Sequence, residues 1–214
     1  MRKILILLSV FLISVALFGC TGGKEVDEKS EEVVETTDLS EEENVEASKD
    51  FDEQSDTLII YFSWSSNTET MANYIHDAIG GDIERIVPVF AYPENYDDTA
   101  DIAKAQQDND ERPEFEALEL DPTSYDTVFI GYPIWWYSLP MIMETFFDTY
   151  DFDGITIVPF NTHEGSKDGG TYDMIKDREP NAIVLEGLPI QGGNIYDEAS
   201  RKAVNDWLNS LGLN

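Results

Sequence analysis

From Thr57 onward the chain alternates short apolar runs with segments of helical period, and no other feature narrows its fold so far. Leu58-Ile59-Ile60-Tyr61-Phe62 has the length and character of a strand buried on both faces. Residues 68–79 follow, with Met71, Ala72, Tyr74, Ile75, Ala78 and Ile79 at helical spacing, and Gly80-Gly81 end that helix. Residues 83–89 read as a second strand, 98–107 as a polar helical insert and 127–131 as a third strand. Pro140 suits the first turn of a helix carrying Met141, Ile142, Met143, Phe146 and Phe147. A fourth strand over 155–160, a short helix over 171–178, a fifth strand over 182–188 and an amphipathic helix over 196–211 complete the series. Five apolar strands alternating with helices imply an α/β fold, a doubly wound parallel sheet with helices on both faces. Ligands in such sheets bind beyond the carboxyl ends of the strands.

Residues 1–56 have a different character, and charge marks the division. The chain has 214 residues, 44 acidic and 13 basic, for a formal net charge of −31. Residues 21–56 hold 15 acids and 3 bases; residues 57–214 hold 29 acids and 8 bases, net −21. This balance excludes a nucleic-acid binder, which needs clustered Lys and Arg, and a basic patch for anionic lipid. A single cysteine excludes an internal disulfide and a thiolate metal cluster, and two histidines exclude a His-rich metal site. Arg2-Lys3 precede an apolar stretch over 4–18, the upper end of a signal-peptide core and short of a membrane span. The stretch ends in Leu17-Phe18-Gly19-Cys20, which resembles the lipobox of bacterial lipoproteins, although Phe18 stands where that pattern prefers a small residue. Residues 1–20 are therefore expected to be a signal peptide ending at a lipidated Cys20; the alternative is an uncleaved anchor. Two acyl chains on that sulfur would suffice for stable anchoring to a membrane. Residues 21–56, rich in Glu, Asp, Ser and Thr, lack the apolar surface to offset ordering and read as a disordered acidic linker. A docking tail for a basic partner is the other reading.

Three strand ends of the 57–214 domain carry chemistry. The first is Ser63-Trp64-Ser65-Ser66-Asn67-Thr68, where hydroxyls, an amide, loop N–H groups and a helix N-terminus together suit an anion. It has neither the lysine of a Walker loop nor, after any strand, a G-x-G-x-x-G. The blander reading is helix capping, which needs one such residue rather than five. The second is Pro133-Ile134-Trp135-Trp136-Tyr137-Ser138, an aromatic loop between prolines. Clustered aromatics in a loop suit a flat apolar ligand, unless the tryptophans fold into the core. The third is Asn161-Thr162-His163-Glu164-Gly165-Ser166, whose small and polar residues allow close backbone approach. His163 alone reads as a structural hydrogen-bonding group or as part of that site.

These three motifs, in order and at matching strand ends, resemble those of the flavodoxin family across essentially the whole of 57–214. The resemblance implies a sheet of order 2-1-3-4-5 and non-covalent flavin mononucleotide (FMN). It places the phosphate on Ser63, Ser65, Asn67, Thr68 and the N–H groups of Trp64 and Ser66. Pro133, Ile134, Trp135, Trp136 and Tyr137 would flank the isoalloxazine ring. Asn161, Thr162, His163, Glu164 and Gly165 would line its pyrimidine edge. Ser66 stands where many members carry glycine, so a non-glycine residue must fit a tight loop. With FMN as the redox agent, no separate catalytic residue is expected. The net charge of −21 would lower the second reduction potential of the bound flavin. The export signal favours an electron-transfer protein, with a redox protein or membrane donor as partner, on the extracytoplasmic face of a bacterial cell membrane. An NAD(P)H-dependent quinone or azo reductase, and a non-redox ligand-binding module of the same fold, are the alternatives.

Overall fold

A computed structural model describes residues 56–213; the expected signal peptide, Cys20 and nearly all of the acidic linker lie outside the described residues. The elements run β1 (Thr57–Tyr61), α1 (Asn67–Ile79), β2 (Asp82–Arg85), α2 (Tyr96–Asp108), β3 (Thr127–Pro133), α3 (Met141–Thr149), β4 (Thr156–His163), α4 (Thr171–Arg178), β5 (Ile183–Val184), β6 (Leu188–Gln191) and α5 (Glu198–Leu211). All strands pair in parallel, in the order β2-β1-β3-β4-β5, with β6 also on β4.

Strand alternation sorts the core into two layers. Leu58, Ile60, Val128, Ile130 and Ile157 face one side, where Ile142, Met143 and Phe146 of α3 and Ile175 of α4 cover them. Ile59, Tyr61, Phe129, Val158 and Phe160 face the other, under Met71, Ala72 and Ile75 of α1 and Val204, Trp207 and Leu208 of α5. Both faces are buried, which is why the strands read as continuous apolar runs rather than alternating ones. Gly131 makes room for a neighbour: a Cβ there would stand 2.1 Å from the Phe160 ring.

The fifth strand is broken in two, and the register gives the reason. Val184 pairs with Ile157 and Leu188 with Phe160, so the edge carries one residue more than β4 over the same stretch, a bulge. The Leu185 N–H donates to the Ile157 carbonyl at 2.9 Å. Pro159, two residues on, turns its nitrogen to the same edge and has no proton to give, so the ladder stops. The Glu186 carbonyl, released from the sheet, accepts from the Trp207 indole at 2.9 Å.

Two other boundaries move. The second strand ends at Arg85 rather than Val89; residues 86–90 leave the sheet at Pro88, which bridges Phe115 antiparallel, and the Val89 N–H donates to the Glu114 carbonyl at 3.0 Å. Strands β3 and β4 run further than expected, to Pro133 and His163, so that Tyr132, Asn161 and Thr162 belong to the sheet and are buried. The insert forms α2, started by Asn95, whose side chain accepts the Asp98 N–H at 3.0 Å.

Candidate functional site

The hydrogen bonds of β1 run on to Phe62, where the N–H donates to the Gly131 carbonyl, and the loop begins after it. Ser63 is 2 % exposed, and its hydroxyl has no hydrogen-bond partner among the described residues. A buried hydroxyl left this way costs about 1–3 kcal/mol, so its retention points to a partner that arrives with a ligand. Ser66 sits at φ 64°, ψ 1°, the left-handed region, directly before α1. That conformation costs a non-glycine residue about 1–2 kcal/mol. Its side chain makes no capping bond, so the helix N-terminus is not closed by the residue best placed to close it. Ser65 and Ser66 are exposed and Asn67 is half-buried. Thr68 is different: it is buried, and its hydroxyl shares a 2.8 Å hydrogen bond with that of Thr162, tying α1 to β4.

The loop after β3 makes a tight reversal. The Trp135 N–H donates to the Ser138 carbonyl at 3.1 Å and the Ser138 N–H to the Trp135 carbonyl at 3.0 Å. The two residues between them, Trp136 and Tyr137, have φ of 49° and 59°, the primed turn that normally takes Asn-Gly. The tryptophans part company here. Trp135 folds inward, edge-on to Phe62 at 5.4 Å and to Tyr92 at 5.0 Å. Trp136 and Tyr137 stay 47 % and 75 % exposed, and the Trp136 indole N–H donates to the Ala100 carbonyl of α2 at 2.9 Å. Pro133 is the last residue of β3, paired with Thr162.

At the end of β4, Asn161 is fully buried and its amide is spent within the protein. It donates to the Lys167 carbonyl at 3.0 Å and accepts from the Tyr172 hydroxyl at 2.6 Å, which shapes the turn into α4. Burial pushes the Tyr172 phenol far above its ordinary range, so it stays a donor. His163 is half-buried and its Nδ1 accepts the Gly165 N–H at 2.9 Å. Burial lowers its pKa from the ordinary 6.5; Glu164 and Asp168 pull it back up and Lys167 pushes it further down. The ring is accordingly neutral at pH 7, with its proton on Nε2. Glu164 and Gly165 are exposed.

The three loops meet around a cavity of about 410 Å³. Its wall includes Trp64, Ile134, Trp135, Trp136, Tyr137, Glu164 and Gly165 from among the residues expected at the site. The serines and Asn67 continue along the loop from Trp64, while Asn161 and Thr162 are buried within the sheet behind it. Sequence reasoning missed three contributors. Helix α2 supplies a wall through Tyr96, Thr99, Ala100 and Ala103, a stripe at helical spacing. Gly192, after β6, lies against the site: a Cβ there would stand 2.5 Å from the Asn67 amide nitrogen and 2.6 Å from a Glu164 carboxylate oxygen. Arg85, the last residue of β2, donates to the Ser63 carbonyl at 2.7 Å.

Unspent polar groups at an uncapped helix start, beside a cavity with aromatic walls, suit a ligand with an anionic end and a flat apolar end. The family model for flavodoxin matches residues 56–211. The chain belongs to the flavodoxin family. A flavoprotein of Bacteroides eggerthii is 29 % identical over 75 % of this chain and 99 % of its own, with a TM-score of 0.64. One from Bacteroides uniformis is 28 % identical over 72 % and 97 %, with a TM-score of 0.62. A flavoprotein of Lactobacillus acidophilus, solved in complex with FMN, is 25 % identical over 66 % and 96 %, with a TM-score of 0.54. No curated protein matches the sequence. The sheet order agrees with what the motifs implied.

Proposed function

We propose that this flavodoxin binds FMN and transfers electrons at the extracytoplasmic face of a bacterial cell membrane, anchored by a lipid on Cys20. The observation that carries the cofactor is the Ser63 hydroxyl, buried and unpartnered at the foot of an α1 that Ser66 leaves uncapped. Its chemistry is that of a phosphate site built without a lysine. FMN, when bound, supplies the electron transfer in one- or two-electron steps. The chain's own residues bind and orient it. Ser63, Ser65, Ser66 and the N–H groups of the loop and of Asn67 and Thr68 hold the phosphate. Trp136 and Tyr137 offer exposed ring faces for the isoalloxazine, and Glu164 and Gly165 present its polar edge with a carboxylate and a backbone N–H. Asn161, Thr162 and Thr68 keep these loops in register from behind. Neutral His163 accepts the Gly165 N–H and fixes the start of the third loop. The fold family and the FMN complex of the Lactobacillus acidophilus relative support this reading.

The anchor rests on the charged start, the apolar stretch and the position of Cys20. Among the described residues no helix is long and apolar enough to cross a membrane. Full-length protein in the membrane fraction, released by Cys20→Ala, is the expected result; equal partitioning of both would contradict the anchor. The second reading is an NAD(P)H-dependent quinone or azo reductase of the same fold. The FMN-loaded full chain mixed with NAD(P)H and a quinone separates the two. Reduction by a chemical donor with negligible NAD(P)H turnover is expected, and robust turnover would overturn the electron-carrier assignment.

A further inference from the structure

The phosphate loop contains no lysine, yet a guanidinium touches it from the neighbouring strand. Arg85 closes β2 and pairs in register with Tyr61, which closes β1. From there its Nη2 donates to the Ser63 carbonyl at 2.7 Å, two residues past the end of β1. The same residue carries the buried, unpartnered hydroxyl. We propose that Arg85 is the positioning residue of the phosphate loop: it fixes the Ser63 peptide and adds a local positive charge where the rest of the domain is strongly acidic.

Six of the seven other cations in residues 57–214 are engaged differently, and the seventh, Lys167, lies in the turn before α4. Lys104, Arg112, Lys176, Arg178, Arg201 and Lys202 each rest on a carboxylate of a surface helix or loop. Arg85 approaches a carboxylate only loosely, Glu69 at 3.8 Å, and gives its short bond to the loop backbone. Its side chain is 40 % exposed, so its charge is not buried. Residues 57–214 carry net −21, and a field of that sign opposes the approach of a phosphate, itself about −1.5 to −2 near pH 7. A guanidinium held at the loop offsets that repulsion locally. Its planar fork sets direction as well as charge, which an ammonium would not.

This role rests on the FMN reading, and the test separates the two. The full chain and its Arg85→Ala and Arg85→Lys variants are titrated with FMN and with riboflavin, which lacks the phosphate, at low and high salt. The wild-type chain is expected to prefer FMN. Arg85→Ala is expected to weaken FMN by about tenfold or more, as for a lost charge-assisted contact, to leave riboflavin within about twofold, and to make FMN binding tighten with added salt more than in wild type, because the repulsion that salt screens is no longer offset. Arg85→Lys should fall between, keeping the salt sensitivity and losing part of the affinity. A wild-type chain that binds both flavins alike, or neither, overturns the FMN reading and this one with it. A wild-type preference for FMN that Arg85→Ala retains, or a parallel loss of both flavins, overturns the role of Arg85 alone. If Arg85→Ala fails to fold by circular dichroism, Arg85→Lys decides, and affinity and salt response equal to wild type overturn the proposal.

Discussion

The loops after β1 and after β3 both hold residues in left-handed conformations, but they spend their polar groups in opposite ways. In the first, Ser66 is strained, the Ser63 hydroxyl is buried without a partner and α1 has no side-chain cap. In the second, Trp136 and Tyr137 are strained, yet the turn closes its own backbone bonds and the Trp136 indole finds Ala100. What the second loop leaves open is ring surface. One loop therefore offers unsatisfied hydrogen-bonding groups and the other exposed apolar area. The two call for different ends of one ligand, and substitutions should separate them.

The largest effect is expected at Ser63. Ser63→Ala should weaken FMN by about 10–100-fold, the value of a hydrogen bond to a charged group, while riboflavin binding barely changes. The same substitution removes a buried unpartnered hydroxyl, so the flavin-free protein should gain stability by about 1 kcal/mol. Opposite signs in isothermal titration and in thermal melts are the signature; parallel losses would mean that the hydroxyl serves the fold.

Gly192→Ala tests whether the two loops are joined. Its Cβ would crowd the ends of the Asn67 and Glu164 side chains, which can move, so the fold should survive. Displacing Asn67 and Glu164 together should weaken FMN about tenfold and riboflavin by less, a loss of one or two polar contacts. Unchanged affinity in the same titration would detach Gly192 from the site.

Tyr137→Gly sharpens the other side of the comparison. Glycine relieves the left-handed strain at a residue 75 % exposed, and the protein should gain about 0.5–1 kcal/mol in urea unfolding. FMN and riboflavin should weaken by the same factor, about threefold to tenfold for a lost ring contact. Selective loss of FMN would place the phosphate at the wrong loop.

The smallest effect concerns pH. Burial lowers the folded pKa of His163 below its ordinary 6.5, so the folded state favours the neutral ring. Its contribution is complete above pH 6.5 and is lost as pH falls through the lower, folded value. The Nδ1 bond to Gly165 goes with it. Melting temperature followed from pH 7.5 to 5 should fall slightly more for wild type than for His163→Gln. Identical slopes would remove His163 from that account.

The parts of this molecule that could be read in the sequence are those that local pattern dictates. β1, α1, α3 and α5 follow from apolar runs and helical spacing, and the three strand ends follow from their neighbours. The parts that could not be read depend on pairing across the chain. Pro159 looks harmless in an apolar run; only its register against residues 183–191 shows that its missing N–H breaks the edge strand. Arg85 and Gly192 lie in separate elements from the residues they touch, and nothing in the local spacing of either announces the contact. Trp135 and Trp136 are neighbours of the same type; which one enters the core is settled by Phe62 and Tyr92, brought from just after β1 and just before α2. Ser66 shows a partial success: it stands where many members of the resembled family carry glycine, and its φ is 64°.

The most direct test is a titration of the flavin-free full chain with FMN and, separately, with riboflavin, read by flavin fluorescence. Stoichiometric quenching by both, with FMN bound at least tenfold more tightly, is what two loops of complementary kind require. Quenching with no preference for FMN, or none at all from a chain folded by circular dichroism, would contradict it.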